Sequence, residues 1–196
     1  MRIIAGEQKG RRLKAPTWSG VRPTGDKLRE TLFNIVAARV PDARVLDVFA
    51  GTGAIGLEAL SRGAAQAVFI EHDRRAWRLI QENAALCDVE DRCVIIRATA
   101  ESALFDRLEG APFGLIVLDP PYELNPLDGV LNAAMQHLDR DGLMILEHAF
   151  RRRIPDVAGA RLTRTVRSGD SALSFFEHAS QRDCAAAWRR VADSTE

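Results

Sequence analysis

Five short apolar segments recur through the middle of this 196-residue chain, and they limit its fold more than any other feature. Each is too short for a buried helix and is rich in the branched and aromatic residues of strands buried on both faces. Between them lie stretches whose apolar residues have the spacing of a helix. Alternation of strands and helices predicts a parallel sheet with helices on both sides. The apolar segments are RVLDVF (44–49), AVFIE (67–71), CVIIR (93–97), LIVLD (115–119) and LMILEH (143–148), and the helical stretches are 53–63, 74–86, 100–108 and 125–138.

The two ends of the chain carry patterns of their own. Residues 1–15 read as two short strands around EQKG, and ARLTRTV and ALSFFEH flank the turn sequence RSGDS, so each end is predicted to hold a hairpin. After residue 25 the spacing predicts an amphipathic helix with Leu28, Leu32, Ile35 and Val36 on one face. We expect a basic hairpin extension over 1–20, a main domain over 21–180 and a C-terminal tail over 181–196.

Charge and cysteine content narrow the functional classes. Residues 1–40 hold nine Lys or Arg against three acids, although the net charge of the chain is zero. This basic excess favours an anionic partner such as nucleic acid, the alternative being a solvated basic face. Cys87, Cys93 and Cys184 lack the spacing of a metal site or disulfide framework, and no apolar run approaches the roughly 18 residues of a membrane span. A cytoplasmic protein is expected.

A glycine-rich loop follows the first strand segment in VLDVFAGTGAIGLEAL, residues 45–60. Gly51, Gly53 and Gly56 allow tight turns and close approach of a ligand to the main chain. Such spacing by itself suggests a dinucleotide site. However, Asp47 at the strand end would repel a pyrophosphate and suits a ligand that carries an ammonium group. A plain glycine turn in a Rossmann-like protein that does not bind S-adenosylmethionine is the alternative.

The stretch D-x-F-A-G-T-G-x-x-G resembles motif I of the class I S-adenosylmethionine (SAM) methyltransferases. The resemblance implies a Rossmann-like, seven-stranded, mostly parallel sheet. It also implies that Asp47, Phe49 and the three glycines bind the cofactor, with Asp47 near its methionine moiety. Glu71, at the next strand end, would accept the ribose hydroxyls, with Asp73 as the alternative. Many relatives place an Asp at the end of the third strand to accept the adenine amine, and this chain has Thr99 at that position. Thr99 and the backbone of Ala100 are therefore the residues expected to border the adenine.

A second motif, Asp119-Pro120-Pro121-Tyr122, ends the fourth strand segment. In open α/β sheets, ligands bind at the edge formed by the carboxyl ends of the strands. The tetrad resembles motif IV of methyltransferases that modify exocyclic amines of nucleobases. Asp119 and the Pro120 carbonyl would accept the amine hydrogens, the two prolines stiffen this pair, and Tyr122 would stack on a flipped base. A simple strand-end turn is the alternative reading of the tetrad alone.

Over residues 1–178 the chain resembles the RsmD family, the bacterial 16S rRNA (guanine(966)-N(2))-methyltransferases. The resemblance is carried by MRIIAGEQKGRRL, RPTGDKLRETLFNI, VLDVFAGTGAIGLEALSRGA, VFIEHDRRA and LDPPY. It implies SAM as cofactor, S-adenosylhomocysteine as product and no metal. The implied partner is 16S rRNA within an assembling small subunit, bound by a monomer.

The same resemblance assigns roles outside the two motifs. Arg11 and Arg12 would contact rRNA phosphates. Arg22, Pro23 and Thr24 would shape the entrance to the site. Arg29 and Glu30 lie on the helix that follows, and an ordinary solvent-exposed pair is the alternative interpretation of these two residues. Ser168 stands where the family usually has a Tyr.

Two other functions stay open at this point. An adenine-N6 methyltransferase would use the same tetrad, although no separate target-recognition domain is evident. A non-catalytic rRNA-binding assembly protein would keep the fold without turnover. The two motifs do not distinguish guanine from adenine, so the choice of guanine depends on the family resemblance alone.

Overall fold

The computed structural model describes residues 1–18, 25–110 and 112–179, so the predicted tail lies outside the described residues. A seven-stranded sheet forms its centre. The strands are β1 Arg44–Val48, β2 Gln66–Glu71, β3 Cys93–Arg97, β4 Phe113–Leu118, β5 Leu138–Ala149, β6 Ala160–Ser168 and β7 Ser171–His178. Their order is β3-β2-β1-β4-β5-β7-β6, with β1 to β5 parallel and β7 antiparallel to both β5 and β6. The predicted mostly parallel sheet is confirmed, and the C-terminal hairpin supplies its antiparallel edge.

Helices cover both faces of this sheet, as predicted. They are α1 Asp26–Val36, α2 Ala54–Ser61, α3 Arg74–Leu86, α4 Ala100–Asp106 and α5 Asp128–Met135. Buried side chains of α1, α2 and α3 form one apolar cluster, and those of α4 and α5 form a second cluster on the opposite face. Strands buried between two such layers must be apolar at successive positions, which explains the continuous apolar runs in the sequence.

The last predicted helix is shorter than its periodicity suggests. The spacing predicts a helix over 125–138, whereas α5 ends at Met135 and β5 already begins at Leu138. Leu138 pairs with Phe113 of β4, and the Phe113 N–H donates to the His137 carbonyl at 2.8 Å. Pairing with the sheet therefore overrides the helical pattern in its final turn.

The N-terminal segment reverses direction, but the two short strands predicted for residues 1–15 are reduced to one antiparallel bridge between Arg2 and Arg12. Its apolar residues Ile3 and Leu13 are buried in the α1–α3 cluster. The backbone N–H groups of Ile4 and Ala5 donate to the two carboxylate oxygens of Glu58 at 2.8 and 3.0 Å. Since Glu58 belongs to α2, this segment is fixed to the helix that follows the glycine loop.

Arg29 is fully buried, which rules out the reading of Arg29 and Glu30 as a solvent-exposed pair. Its Nη2 donates to the Arg2 carbonyl at 2.6 Å and to Asp26 at 3.0 Å. Its Nε lies 3.8 Å from the buried Glu58 carboxylate. Glu30 on the same helix is exposed. Arg29 thus joins α1 to the N-terminal segment and to α2.

No helix in the three described ranges is both long and apolar enough to cross a membrane. Cys87 and Cys93 are free cysteines. Burial raises the pKa of both thiols, that of Cys93 to about 12.

Candidate functional site

Three neighbouring parallel strands end together at one edge of the sheet. The register places Val48 of β1 beside Ile70 of β2 and Leu118 of β4. The Asp119 N–H donates to the Val48 carbonyl at 3.3 Å, and the Ala50 N–H donates to the Ile70 carbonyl at 3.0 Å. The glycine loop, Glu71 and the start of the Asp119–Tyr122 tetrad therefore lie side by side, although they are far apart in sequence.

The glycine loop turns sharply between β1 and α2. Phe49, Gly51 and Gly53 all have positive φ, at 65°, 55° and 77°. Gly53 precedes the first residue of α2, and a Cβ there would lie 3.1 Å from Ile80 Cγ2. Backbone conformation and close packing both favour glycine at this position. The strand, loop and helix occur in the order that the motif predicts.

Asp47 is buried beneath this loop and accepts a hydrogen bond from the Gly56 N–H at 2.9 Å. Burial raises the pKa of Asp47 well above its ordinary value, the Gly56 hydrogen bond opposes the shift, and the charges of Asp119 and Glu71 add to it. A buried carboxylate held near two others suits a cationic ligand. Within the described residues, no group of three or more His, Cys, Asp or Glu side chains could hold a metal ion.

Glu71 connects the loop to the end of β2. One carboxylate oxygen accepts from the Gly51 N–H at 2.9 Å and the other from the Asp73 N–H at 2.7 Å. Asp73, the alternative ribose ligand, caps α3 by accepting from the Arg75 N–H at 2.7 Å. The Arg75 guanidinium beside it holds the pKa of Asp73 well below its ordinary value. Asp73 is thus committed to the helix cap, and Glu71 faces the glycine loop.

Thr99 and Ala100 stand at the start of α4, one strand further along the sheet. The Thr99 hydroxyl accepts from the Ser102 N–H at 3.2 Å and so caps the helix. Ala100 is buried. The Ala98 N–H donates to the Glu71 carbonyl at 3.2 Å, which joins this turn to the end of β2.

The tetrad at the end of β4 is braced from two sides. The Tyr122 and Ser171 hydroxyls lie 2.7 Å apart, and Ser171 begins β7. The Arg152 guanidinium donates to the Tyr122 carbonyl at 3.0 Å and also to the Leu124 carbonyl. Pro120 is buried. The loop that carries Tyr122 is therefore held against the segment after β5 and the β6–β7 turn.

The basic N-terminal residues are partly neutralised by the fold. Arg11 pairs with Asp88 at 3.0 Å, and Lys14 pairs with Glu82 at 3.0 Å. Arg12 is exposed and contributes to the lining of a cavity of about 420 Å³ next to the start of α1. Arg22, Pro23 and Thr24 lie outside the described residues.

Three residues of this region were not predicted from the sequence. Arg152 lies in the run RRR, and the sequence does not distinguish it from the arginines on either side. Ser171 is a single serine that does not by itself indicate a functional role. Asn83 is fully buried on α3; its amide donates to the carbonyls of Lys14 and Thr52 at 3.2 and 3.0 Å. A polar residue on the apolar face of an amphipathic helix is the signal that could have identified Asn83.

Comparison with known proteins identifies the family of this chain. Residues 1–177 match the family described as Conserved hypothetical protein 95. Ribosomal RNA small subunit methyltransferase D of Escherichia coli K12 is 35% identical over 184 residues, which cover 92% of this chain and 91% of that protein. This chain belongs to the RsmD family.

Two further proteins are similar to this chain over most of its length. The protein named "Putative rRNA methyltransferase YlbH" of Bacillus subtilis is 36% identical over 181 residues, covering 90% of this chain and 98% of that protein. The solved structure titled "Putative methyltransferase yhhF from Escherichia coli" superposes with a TM-score of 0.80 at 36% identity. It covers 92% of this chain and 99% of that one. The predicted class I methyltransferase fold is confirmed.

Proposed function

We propose that this chain transfers a methyl group from SAM to the exocyclic N2 amine of a guanine in 16S rRNA of the small ribosomal subunit. The observation that carries the proposal is the placement of Asp119 to Tyr122 at the same sheet edge as the glycine loop and Glu71. The names of the relatives support rRNA as the substrate, and the E. coli relative is aligned over nearly its whole length.

The residues at the sheet edge fit SAM. Its sulfonium and ammonium groups are cationic, and the buried Asp47 lies close enough to Glu71 and Asp119 for their charges to raise its pKa. Asp47 would lie near the methionine moiety, and Phe49 with Gly51, Gly53 and Gly56 would line the loop beneath the cofactor. Glu71 would accept the ribose hydroxyls, and Thr99 and Ala100 would border the adenine. SAM supplies an activated methyl group when bound, and we assign no role to a metal.

The tetrad would hold the amine. Asp119 Oδ and the Pro120 carbonyl would each accept one amine hydrogen, which turns the nitrogen lone pair toward the methyl donor. Pro120 and Pro121 restrict the backbone that carries these acceptors. Tyr122 would stack on the flipped guanine, and fixing the base in this way supplies much of the rate. The amine proton can leave after transfer, so Asp119 need not act as a strong base.

Contacts with rRNA would come first from the N-terminal segment. Arg11 and Arg12 would bind phosphates, which positions the protein without reading sequence. Arg22, Pro23 and Thr24 would shape the entrance to the pocket. We take the substrate to be an assembling small subunit and the protein to act as a monomer in the cytoplasm.

Labelled SAM and 30S particles that lack the modification test this proposal. We expect label on guanine N2 in digests of 16S rRNA, and its loss in Asp119→Ala. N6-methyladenine in the digests would establish the adenine alternative instead. Binding of rRNA without methyl transfer would indicate a non-catalytic assembly protein.

A further inference from the structure

An exposed surface patch lies where β5 ends, next to the segment that contacts the Asp119–Tyr122 tetrad. We call it the Phe150 patch, and it comprises Phe150, Arg151, Arg153 and Arg167. Phe150 is 41% exposed, although phenylalanine is among the residue types most often buried. The Arg167 guanidinium carbon lies 4.2 Å from the centroid of its ring. Arg151, Arg153 and Arg167 are all exposed.

The segment of the chain that contains the patch is basic. Residues 150–171 contain six arginines and two acids, Asp156 and Asp170. Arg152 binds the loop after the tetrad, and Arg161 lies 3.5 Å from Glu177, so these two serve other contacts. The charge of the other arginines favours an anionic partner.

Phe150 and Arg167 form a preorganised stack. Arg167 Nε donates to the Gly169 carbonyl at 2.8 Å, which fixes the guanidinium while its carbon lies over the ring. Aromatic rings and guanidinium planes are the surfaces on which unpaired RNA bases stack. Holding the stack in place before binding reduces the side-chain entropy lost when a base arrives.

The patch is joined to the pocket wall by hydrogen bonds. The Phe150 N–H donates to the Asp170 carbonyl at 2.8 Å, and the next residue, Ser171, bonds the Tyr122 hydroxyl. From the other side, the Arg152 N–H donates to the Ala149 carbonyl at 2.9 Å while its guanidinium holds the Tyr122 carbonyl. A ligand on the patch would therefore lie next to a base held by Tyr122.

We propose that the Phe150 patch binds single-stranded RNA next to the flipped target base, with one unpaired neighbouring base stacked on the Phe150–Arg167 pair. This inference rests on the proposed function of the adjoining pocket. Removing a base from its stack exposes its neighbour, and the patch offers that neighbour a replacement surface and its phosphates a positive field.

The first measurement is binding of a fluorescently labelled single-stranded oligoribonucleotide and of the same sequence as a duplex. Phe150→Ala is expected to raise the Kd for the single strand by about 5- to 150-fold, the range found for loss of one stacked base. The duplex should be affected far less. Phe150→Trp should restore binding, and Arg167→Gln should weaken it and lower the salt dependence by about one phosphate contact. Phe105→Ala is the matched control, since Phe105 is 72% exposed but lies on α4.

The second measurement is methylation of unmodified 30S particles by the same variants. Phe150→Ala and Arg167→Gln should raise KM and leave kcat and the affinity for SAM unchanged. Phe150→Leu keeps the bulk of the side chain without the ring, so it carries the test if Phe150→Ala does not fold.

The outcomes separate the two proposals. Wild-type protein that methylates no rRNA would overturn the proposed function and this inference together. Active wild-type protein with unchanged KM and Kd in both variants would overturn the inference alone. A KM that rises on particles while single-strand binding stays normal would also overturn it, because the patch would then contact a part of the particle other than single-stranded RNA.

Discussion

The Glu71 carboxylate accepts a hydrogen bond from the Gly51 N–H at 2.9 Å, so the residue assigned to the ribose also holds the glycine loop. Its other oxygen accepts from the Asp73 N–H at 2.7 Å. A single side chain at the end of β2 therefore shapes two sides of the proposed cofactor site.

Glu71→Ala should weaken SAM binding strongly, because it removes the ribose acceptors and releases two backbone donors. Hydrogen bonds to a charged group are worth about 1.5–3 kcal/mol each, so the Kd should rise by about tenfold or more. Glu71→Gln keeps one acceptor oxygen and should lie between wild type and alanine. Titration calorimetry with S-adenosylhomocysteine measures this. Equal affinities for all three proteins would contradict the assignment.

Asp47 should make stability depend on pH. Its pKa is raised in the folded state, so the native protein binds the proton more tightly than the unfolded chain does. The free energy of unfolding should therefore fall as pH rises from near 3.8, the ordinary value, to the raised folded pKa, and the full cost should persist above it.

Asp47→Asn keeps an oxygen for the Gly56 N–H but removes this charge. We expect a higher Tm at neutral pH, a flatter pH dependence, and weaker SAM binding because the attraction to a cation is lost. Thermal unfolding at several pH values and calorimetry with SAM check both effects. A lower Tm at neutral pH together with unchanged SAM affinity would show that the Asp47 charge neither destabilises the fold nor attracts SAM.

Gly56→Ala should destabilise the protein. The added Cβ would lie 2.2 Å from Phe69 Cε1, and Phe69 is fully buried, so α2 or the ring must move. Overpacking of this kind costs about 1–3 kcal/mol. Gly129→Ala is the matched control: it lies on α5 with nothing within 4 Å of the added Cβ, and it should stabilise by up to about 1 kcal/mol. Chemical denaturation distinguishes them, and similar values for both would refute the packing argument.

Arg29→Ala should destabilise the protein strongly. It removes contacts to Asp26 and the Arg2 carbonyl and leaves the buried Glu58 charge with less compensation. Breaking a buried ion pair costs about 3–5 kcal/mol, whereas Glu30→Ala on the exposed side should stay within about 0.5 kcal/mol. Limited proteolysis should also cut the N-terminal segment faster in Arg29→Ala. Equal stability of the two variants would show that the buried network contributes little.

Arg152→Ala should lower kcat, because it releases the Tyr122 and Leu124 carbonyls. A small displacement of a positioning group can reduce the rate by about 10- to 100-fold. Arg151→Ala and Arg153→Ala are the controls, and they should raise KM in a salt-dependent way with little change in kcat.

Tyr122 is the chain's single tyrosine, so 3-fluorotyrosine labelling gives one fluorine resonance that reports on its environment. That resonance should shift or broaden in Arg152→Ala and stay unchanged in the two neighbouring variants. An unchanged resonance together with a normal kcat would show that Arg152 does not position Tyr122.

The sequence predicted most of the fold because strands buried on both faces and helices buried on one face require different apolar periods. The five apolar runs became β1 to β5, and the helix over 74–86 has the predicted bounds. The sequence could predict that Glu71 and Asp119 lie at one edge of the sheet, because parallel strands present their carboxyl ends there. Periodicity failed at Leu138, where pairing with Phe113 ended the helical pattern.

By itself the sequence determined the alternation of strands and helices and the order of its two motifs, since both are properties of residues close together in the chain. Only the tertiary structure showed that Arg29 is buried, that Arg152 supports Tyr122, and that Phe150 lies under Arg167. Each of these depends on contacts between distant segments: RRR reads as three equal charges until folding brings one of them to the carbonyls of a loop 30 residues away.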